Sequence, residues 1–344
     1  MKSLAALAKG KFAGQTCLLR VDFNIKSPHD LFKIERTIPT IKFLLSRRIR
    51  IVLVSHRGRP RRADRDKRAF SLRVFMPILA RQLRRKIVFL MDIPAQLPAG
   101  EIFLIENIRF FSGEKENHPT LAKRLSALGD FYVNEAFAVS HRAAASLVAI
   151  TRYLPAYAGL LLSEEIRHLS RILKRPKRPL VIIFGGAKVA DKAQAIKNLL
   201  PKAQAILVGS SAINRADLGI RSSKLIRPID WLSDRGKALD IGPMTIKFFC
   251  EQISRAGTIV WSGPLGQFED ERFAQGSIAI ARAMASASAF SLAGGGETTQ
   301  LIEQLGLEKK FSFLSTGGGA MLQFLAGKKL PGLAALERVE KIKP

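Results

Sequence analysis

Short apolar runs alternate along the chain with segments whose apolar residues recur at helical spacing. Ten such runs are present: TCLLRVDF, IRIVLVSH, KIVFL, EIFLIE and DFYVNEAF in the first half, then PLVIIF, AQAILVG, TIVWSG, ASAFSLAG and FSFLSTG in the second. Continuous apolar runs of this length are typical of strands that are buried on both faces of a parallel sheet. The pattern therefore predicts an α/β fold in which helices cover mainly parallel sheets.

A helical segment between the two halves predicts a two-domain organisation. Residues 158–175, AGLLLSEEIRHLSRILKR, have apolar positions at near-helical spacing and are followed by the breaker PKRP. A chain of 344 residues also exceeds what one hydrophobic core usually supports. The predicted boundaries are 1–154 for the first domain, 155–178 for the helix and linker, 179–325 for the second domain and 326–344 for a C-terminal segment.

The residues that follow the predicted strands differ between the two halves. In the first half they are cationic, namely Arg20, His56, Arg59, Arg109 and Arg142. In the second half they are rich in glycine, as in GGAKVADK, GPLGQFE, GGGETT and STGGGA. Ligands of open α/β sheets bind outside the carboxyl ends of the strands. We therefore predict a small, multiply charged anion in the first half and phosphates bound by backbone N–H groups in the second.

Two of the glycine motifs carry side chains that suit phosphate chemistry. In GGAKVADK, Lys188 and Lys192 are four residues apart and hence on one face of a helix. In GGGETT, Glu297 and the hydroxyl of Thr298 suit a Mg²⁺ ion bound to phosphate. The plainer interpretation of each motif alone is a glycine turn followed by exposed polar residues. A cationic site facing a phosphate site across an interdomain cleft indicates phosphoryl transfer.

Charge and composition add one alternative and exclude several classes of protein. The net charge of +28 could reflect a nucleic-acid partner, an anionic substrate or an ordinary solvated surface. The two cysteines, Cys17 and Cys250, have neither disulfide nor metal-ligand spacing. No apolar run approaches the roughly 18 residues of a membrane span, and the N-terminus lacks a convincing signal peptide. We expect a cytoplasmic protein without a membrane partner.

The motifs, in their order along the chain, resemble those of the phosphoglycerate kinase family. They are RVDFN, SHRGRP, ENIRFFSGE, YVNEAF with HRAAAS, GGAKVADK, LDIGP, VWSGPLGQFE, GGGETT, and STGGGA with GKKLPGLAAL. The resemblance covers nearly the whole chain. It implies two Rossmann-like three-layer domains joined by a hinge helix, the first binding phosphoglycerate and the second nucleotide, with the C-terminal segment returning to the first domain. It also implies a monomeric, Mg²⁺-dependent glycolytic enzyme that uses ATP or ADP with 3-phosphoglycerate or 1,3-bisphosphoglycerate.

The resemblance also implies a role for each matching residue. Substrate-binding residues would be Arg20, Asp22, Phe23, Asn24, Lys33, His56, Arg59, Arg109 and Arg142. Nucleotide-binding residues would be Gly185, Gly186, Ala187, Lys192, Pro264, Glu269, Gly295, Gly296, Glu297 and Thr298, with Glu269 at the ribose and Glu297 holding Mg²⁺ through the nucleotide phosphates. Catalytic residues would be Lys33, Lys188, Lys192, Gly296 and Gly319.

Four features depart from the family pattern. Lys33 occupies the position of the catalytic arginine, with Arg36 one helical turn away as a candidate substitute. Glu297 replaces an aspartate, and Ser262 replaces an asparagine. The segment GSSAIN, residues 209–214, replaces a glycine-rich loop, and several dozen family residues are missing before LDIGP. These departures motivate the alternative of a non-catalytic homologue that binds ligands or nucleic acid.

Overall fold

The structure is a computed structural model that describes residues 1–6, 12–25, 31–60, 67–186, 189–209 and 219–338. The chain divides into two compact units. Unit 1 comprises Met1–Ile166 with Lys329–Pro344, and unit 2 comprises Arg167–Lys328. Among the described residues, no helix has both the length and the apolar character needed to cross a membrane.

Unit 1 is built on a parallel sheet of six strands in the order β3-β4-β2-β1-β5-β6. The strands are β1 (Thr16–Arg20), β2 (Arg50–Val54), β3 (Ile87–Leu90), β4 (Ile102–Ile105), β5 (Phe131–Asn134) and β6 (Ala156–Ala158). Every residue of β1, β4 and β5 is buried, as continuous apolar runs predict for strands covered on both faces. In a parallel sheet all carboxyl ends lie at one edge, and this edge carries the predicted cationic residues.

The helices of unit 1 cover this sheet. They are α1 (Phe32–Leu45), α2 (Met76–Leu83), α3 (Pro119–Ser126), the first part of α4 (Leu160–Lys174) and, after unit 2, the C-terminal α10 (Pro331–Arg338). Short 3-10 turns span Leu4–Ala6, Lys67–Phe70, Leu72–Phe75, Ile108–Phe110, Phe137–Val139 and Ala149–Arg152. Apolar residues of α1 and α2 pack with those of β1 and β2 into one core. The N–H of Gly332 in α10 donates to Ser140 O at 2.8 Å, which joins the C-terminal helix to unit 1.

Unit 2 repeats the architecture with a second parallel sheet of six strands, in the order β14-β13-β12-β7-β8-β9. The strands are β7 (Leu180–Phe184), β8 (Ala205–Val208), β9 (Leu225–Ile226), β12 (Thr258–Ser262), β13 (Phe290–Gly294) and β14 (Phe313–Ser315), and β10 (Trp231–Asp234) with β11 (Lys237–Ile241) forms an antiparallel hairpin. The helices are α5 (Val189–Leu199), α6 (Pro243–Ser254), α7 (Gln275–Ser286), α8 (Gly296–Gln304) and α9 (Gly318–Leu325). Two further 3-10 turns span Glu271–Phe273 and Glu308–Lys310.

The predicted α/β class is confirmed, and each of the ten apolar runs contains a strand. Sequence reasoning missed β6, β9 and the β10–β11 hairpin. Strands β6 and β9 are only three and two residues long, too short for a periodic signal. The hairpin strand β10 is only partly buried and therefore lacks a continuous apolar run.

Candidate active site

Arg20 is the last residue of β1, and its guanidinium is buried at the carboxyl edge of the unit 1 sheet. The Nε atom donates to Ser146 Oγ at 2.9 Å, and Nη1 donates to Val21 O. The Nη2 atom donates to His56 Nδ1 at 3.3 Å. A buried charge is tolerated when such partners satisfy its donors, and here they also fix the plane of the guanidinium.

Asp22 and Lys33 form an ion pair beside Arg20. Lys33 Nζ lies 2.7 Å from Asp22 Oδ2. Burial alone would raise the pKa of Asp22, but the neighbouring Lys33 and Arg20 outweigh burial and hold that pKa below its usual range. Asp22 is therefore a carboxylate at neutral pH, and it holds the ammonium of Lys33 at the site.

His56, which follows β2, is neutral and presents one unused N–H group. Burial first, and then the positive charge of Arg20, lower the pKa of His56 well below its usual value. The contact of 3.7 Å between His56 Nδ1 and Asp22 Oδ1 is therefore not an ion pair. Because Nδ1 accepts from Arg20, we assign the proton to Nε2, which is buried and has no hydrogen-bond partner among the described residues. This N–H group is suited to donate to an oxygen of a bound anion.

Two further residues of RVDFN have structural contacts. Asn24 Oδ1 accepts from Gly58 N at 2.8 Å and so braces the SHRGRP loop. The side chain of Phe23 is fully buried in the core, edge-on to Phe75, and its N–H donates to Ser55 Oγ at 2.8 Å. Phe23 therefore has its side chain in the core and only its backbone near the predicted site.

A cavity of about 320 Å³ lies at this edge of unit 1. Its charged lining comprises Arg20, Arg59, Arg109, Arg142, Glu114 and Lys115, and the rest is Val139, Ala143, Ala144 and Leu147. Burial, Arg142 and Arg20 lower the pKa of Arg109 to about 10, and burial and Arg59 lower the pKa of Arg142. The lowered pKa of Arg109 reflects burial first and the nearby like charges second, and an anion with more than one charge would relieve the repulsion among these charges.

Arg36, the candidate substitute for the family's catalytic arginine, pairs with a carboxylate on α4. Arg36 Nη2 lies 3.2 Å from Glu164 Oε2, at the amino-terminal part of α4. Lys33 is the cation of α1 that contacts Asp22. Of these two cations of α1, Lys33 is therefore the one that pairs with Asp22, and the role of Arg36 as a substitute stays a prediction.

In unit 2 the loop after β7 approaches the loop after β12 so closely that only glycine fits. A Cβ at Gly185 would lie 2.0 Å from Pro264 O and 2.5 Å from Gly263 O. Gly186, at a φ of +69°, donates its N–H to Pro264 O at 2.7 Å. Lys192 is buried on α5, and its Nζ donates to Gly186 O at 2.9 Å, so this lysine lies against the glycine loop.

Two neighbouring strands of unit 2 each lead into a helix that begins with glycine. Helix α8 begins at Gly296 after β13, and α9 begins at Gly318 after β14. A Cβ at Gly296 or Gly319 would meet no atom within 4 Å. The first N–H groups of a helix have no partner in a preceding turn, and the positive end of the helix dipole favours phosphate there.

The remaining predicted nucleotide residues differ in exposure. Thr298 is fully buried, and its Oγ1 accepts from Gly263 N at 2.9 Å, which joins the GGGETT and GPLG loops. Pro264 is buried, whereas Glu269 and Glu297 are exposed. Among the described residues, no three His, Cys, Asp or Glu side chains are grouped to hold a metal ion. One exposed carboxylate in the first turn of α8 fits a Mg²⁺ ion whose other ligands are nucleotide phosphates and water.

Several predicted positions lie outside the described residues. They are Ala187, Lys188 and residues 210–214 of the GSSAIN segment. Gly209, which precedes that segment, is described, and a Cβ there would lie 2.2 Å from Leu265 Cδ2.

Sequence reasoning assigned no role to two residues behind Arg20. Ser146 Oγ donates to Glu114 Oε1 at 2.7 Å, and Ser146 N donates to Glu114 Oε2 at 3.0 Å. Both residues end motifs that the sequence analysis quoted, HRAAAS and ENIRFFSGE. No local pattern joins them, because 32 residues separate them along the chain.

Comparison with known proteins identifies the family. The family profile described as phosphoglycerate kinase matches residues 7–216 and 214–328. The phosphoglycerate kinase of Dictyoglomus turgidum is 35% identical, with 98% of this chain and 99% of the relative covered. That of Desulforapulum autotrophicum is 38% identical, with 95% and 98% covered. Among solved structures, phosphoglycerate kinase from Coxiella burnetii is 32% identical with a TM-score of 0.81, and 98% of each chain is covered. The enzyme from Pyrococcus horikoshii is 28% identical with a TM-score of 0.87, and 99% of this chain and 100% of that chain are covered.

The same comparisons bear on the shortened segment of unit 2. The alignment with the Dictyoglomus turgidum relative runs over 398 positions, more than the 344 residues of this chain, so the relative has segments that this chain lacks. The two parts of the profile match meet at residues 214–216, between β8 and β9, where the sequence predicts missing residues. Over nearly its whole length the chain nevertheless aligns with kinases and shares their fold, and it belongs to the phosphoglycerate kinase family of phosphotransferases.

Proposed function

We propose that this chain catalyses the reversible transfer of a phosphoryl group between 1,3-bisphosphoglycerate and ADP, giving 3-phosphoglycerate and ATP in glycolysis. One observation carries the proposal. The carboxyl edge of the unit 1 sheet gathers Arg20, Arg59, Arg109 and Arg142 around one cavity, next to Lys33 and a neutral His56. Such a site suits a small substrate that carries both a phosphate and a carboxylate.

In the proposed complex the arginines neutralise the phosphate and carboxylate of phosphoglycerate. Four guanidinium groups exceed the charge of the one acidic residue in the cavity lining, Glu114. The Nε2–H group of His56 donates to a substrate oxygen, because it is buried without a partner among the described residues. Asn24 supports this edge by bracing Gly58 in the loop that carries Arg59.

Transfer is a direct in-line displacement in the proposed mechanism. A β-phosphate oxygen of ADP forms a bond to the acyl phosphorus, and the bond from that phosphorus to the C1 oxygen breaks, leaving a carboxylate on 3-phosphoglycerate. Lys33, oriented by Asp22, stabilises the charge on the moving phosphoryl group. Lys188 is proposed to share this role on the basis of the family resemblance.

The nucleotide phosphates are proposed to bind the glycine loops of unit 2. The N–H groups at the starts of α8 and α9 are the proposed donors, and Gly296 and Gly319 leave room beside them, because a Cβ at either position would meet no atom within 4 Å. Lys192 supplies positive charge beside Gly186, and Glu269 is proposed to hold the ribose hydroxyls. Glu297 would hold the Mg²⁺ ion, which when bound neutralises phosphate charge during transfer.

We further propose that the protein is a cytoplasmic monomer and that α4, which crosses the division between the units, is the hinge of a closing motion. We propose that the basic residues behind the net charge of +28 form a solvated surface rather than a nucleic-acid site. We expect no retention of nucleic acid in a filter-binding assay at near-physiological salt. Retention that falls steeply as salt rises would contradict this view and add nucleic acid as a partner.

The test is phosphoryl transfer from ATP to 3-phosphoglycerate with Mg²⁺, coupled to a dehydrogenase. We expect turnover by the parent protein and its loss in Lys192→Ala, because the buried ammonium beside Gly186 is removed. Lys197→Ala is the matched control, since Lys197 is an exposed lysine of the same helix. Absence of turnover in the folded parent would overturn the proposal and favour a ligand-binding homologue.

A further inference from the structure

Three buried residues lie behind Arg20 and have no role in the proposed transfer. They are Ser146, Glu114 and Tyr132, of which Glu114 is 4% exposed and Ser146 2% exposed. A buried carboxylate near a substrate that is itself an anion needs an explanation, because its charge opposes binding of the substrate. The explanation lies in the contacts of these residues with Arg20.

A hydrogen-bonded chain runs from Arg20 to Glu114 through one hydroxyl group. Arg20 Nε donates to Ser146 Oγ at 2.9 Å, and Ser146 Oγ donates to Glu114 Oε1 at 2.7 Å. Only a group that accepts and donates at once can occupy the middle position, which a hydroxyl does. The second carboxylate oxygen, Oε2, accepts from Ser146 N at 3.0 Å. Both oxygens of Glu114 thus hold the residue that holds Arg20.

Glu114 also holds the loop that carries Arg142. Ala145 N donates to Glu114 O at 2.9 Å, so backbone and side chain of Glu114 both bind the stretch that follows Arg142. Tyr132 OH donates to Ser146 O at 2.9 Å from the sheet side. The contacts made by Tyr132 leave the Ser146 hydroxyl untouched, which makes this tyrosine a useful control.

We propose that Glu114, acting through the hydroxyl of Ser146, is a positioning residue that orients Arg20 for the phosphoglycerate anion. This inference rests on the proposed function, since it names an additional determinant of the same site. The negative charge also offsets part of the repulsion among Arg20, Arg109 and Arg142, which the arginines experience before substrate arrives. Glu114 contacts Arg20 only through Ser146 in this chain of bonds.

The sharpest test is Ser146→Ala, which removes the middle hydroxyl and leaves the Ser146 backbone N–H in place. We expect the KM for 3-phosphoglycerate, and its Kd by calorimetry, to rise about tenfold, because a hydrogen bond to a charged group is lost. The KM for ATP should stay within about twofold, because the hydroxyl lies in unit 1. Tyr132→Phe is the control: it should lower the melting temperature but keep the KM for 3-phosphoglycerate within about twofold.

Glu114→Gln distinguishes positioning from a purely electrostatic role and serves if Ser146→Ala does not fold. If Glu114 acted only by lowering the net positive charge of the site, its neutralisation would tighten phosphoglycerate binding. A Glu114 that positions Arg20 would give weaker binding, because an amide has one acceptor oxygen where the carboxylate uses two, one for each Ser146 donor. We expect weaker binding. The double variant Ser146→Ala with Glu114→Gln should bind phosphoglycerate no more weakly than the weaker-binding single variant, because both residues act through the same chain of hydrogen bonds.

Each outcome bears on one proposal only. A parent protein that neither binds 3-phosphoglycerate nor transfers phosphoryl groups would contradict the proposed function. An active parent whose folded Ser146→Ala variant retains its KM for 3-phosphoglycerate, or whose Glu114→Gln variant binds more tightly, would overturn the role of Glu114. Equal weakening in Tyr132→Phe would also overturn it, since general loosening of the loop would then suffice.

Discussion

Unit 1 and unit 2 share one architecture, a parallel sheet of six strands with its predicted ligand residues at the carboxyl edge, yet they prepare that edge differently. Unit 1 uses charged side chains, several of them buried, whose orientation depends on hydrogen bonds to other side chains. In unit 2 the proposed donors are backbone N–H groups at helix starts, and glycines stand where the backbone approaches itself closely. The two units therefore differ in how their proposed anion sites are built on similar sheets.

The difference predicts different sensitivities to substitution. A side-chain site weakens step by step, because each partner of Arg20 or Lys33 can be removed separately. A backbone site tolerates changes wherever space is open, but it fails where a Cβ would strike main-chain atoms. Four predictions test this contrast, in order of decreasing effect.

The largest effect is expected for Gly185→Ala in unit 2. The new Cβ would lie 2.0 Å from Pro264 O, which is a backbone atom. Relief of this clash requires the loops after β7 and β12 to separate, at a cost of at least about 3 kcal/mol in stability. Thermal unfolding with and without nucleotide measures the loss. Gly296→Ala, which meets no atom within 4 Å, should unfold at the parent's temperature, and equal destabilisation of both variants would contradict the contrast.

A buried carboxylate in each unit gives the next largest effect, with opposite dependence on pH. Burial raises the pKa of Asp240 to about 6, although hydrogen bonds from the N–H groups of Gly276 and Ile241 act to lower it. The unfolded chain loses this proton first, so stability should fall by about 2 kcal/mol as pH rises from about 4 to 6. Asp240→Asn should abolish that fall in unfolding free energies measured across this range.

Asp22 in unit 1 should behave in the opposite way. Its pKa lies below the usual range because Lys33 and Arg20 outweigh burial, so it contributes stability above pH 4 that is lost as pH falls further. Asp22→Asn should reduce this loss of unfolding free energy at acid pH. An unchanged slope in either variant would show that the surroundings of that carboxylate do not determine its titration.

Lys33→Arg should raise kcat by about three- to tenfold, equivalent to roughly 1 kcal/mol. The planar guanidinium of arginine can bind Asp22 and a phosphoryl oxygen at the same time. Steady-state transfer assays measure this gain. Lys42→Arg, at an exposed lysine of the same helix, controls for a general effect of arginine on α1. No gain at position 33 would count against Lys33 as the residue that stabilises the moving group.

The smallest effect is expected for Arg36→Ala. Its pair with Glu164 is partly exposed, and exposed pairs contribute little, so kcat should stay within about twofold of the parent value. Glu164→Ala should behave alike. A large loss of kcat in Arg36→Ala alone would return Arg36 to the role of a substitute for the missing arginine.

Much of the fold followed from local patterns, and part of the site did not. The ten apolar runs predicted ten strands because strands covered on both faces must be apolar throughout, whereas β9 and the exposed hairpin had no such requirement. The arginines after the strands of unit 1 were predicted and do line one cavity. Phe23 was also predicted at the substrate; its side chain lies in the core, and its contact with the substrate stays a prediction.

The sequence by itself determined the α/β class, the division of chemistry between a cationic half and a glycine-rich half, and the family, because each depends on residue types at short spacings. Tertiary structure alone decided that Ser146 meets Arg20 across 126 residues and Glu114 across 32, and that Lys33 rather than Arg36 pairs with Asp22. It also decided that His56 is neutral and Asp22 ionised. Pairing and protonation depend on which side chains are buried together, and burial is a property of the folded chain.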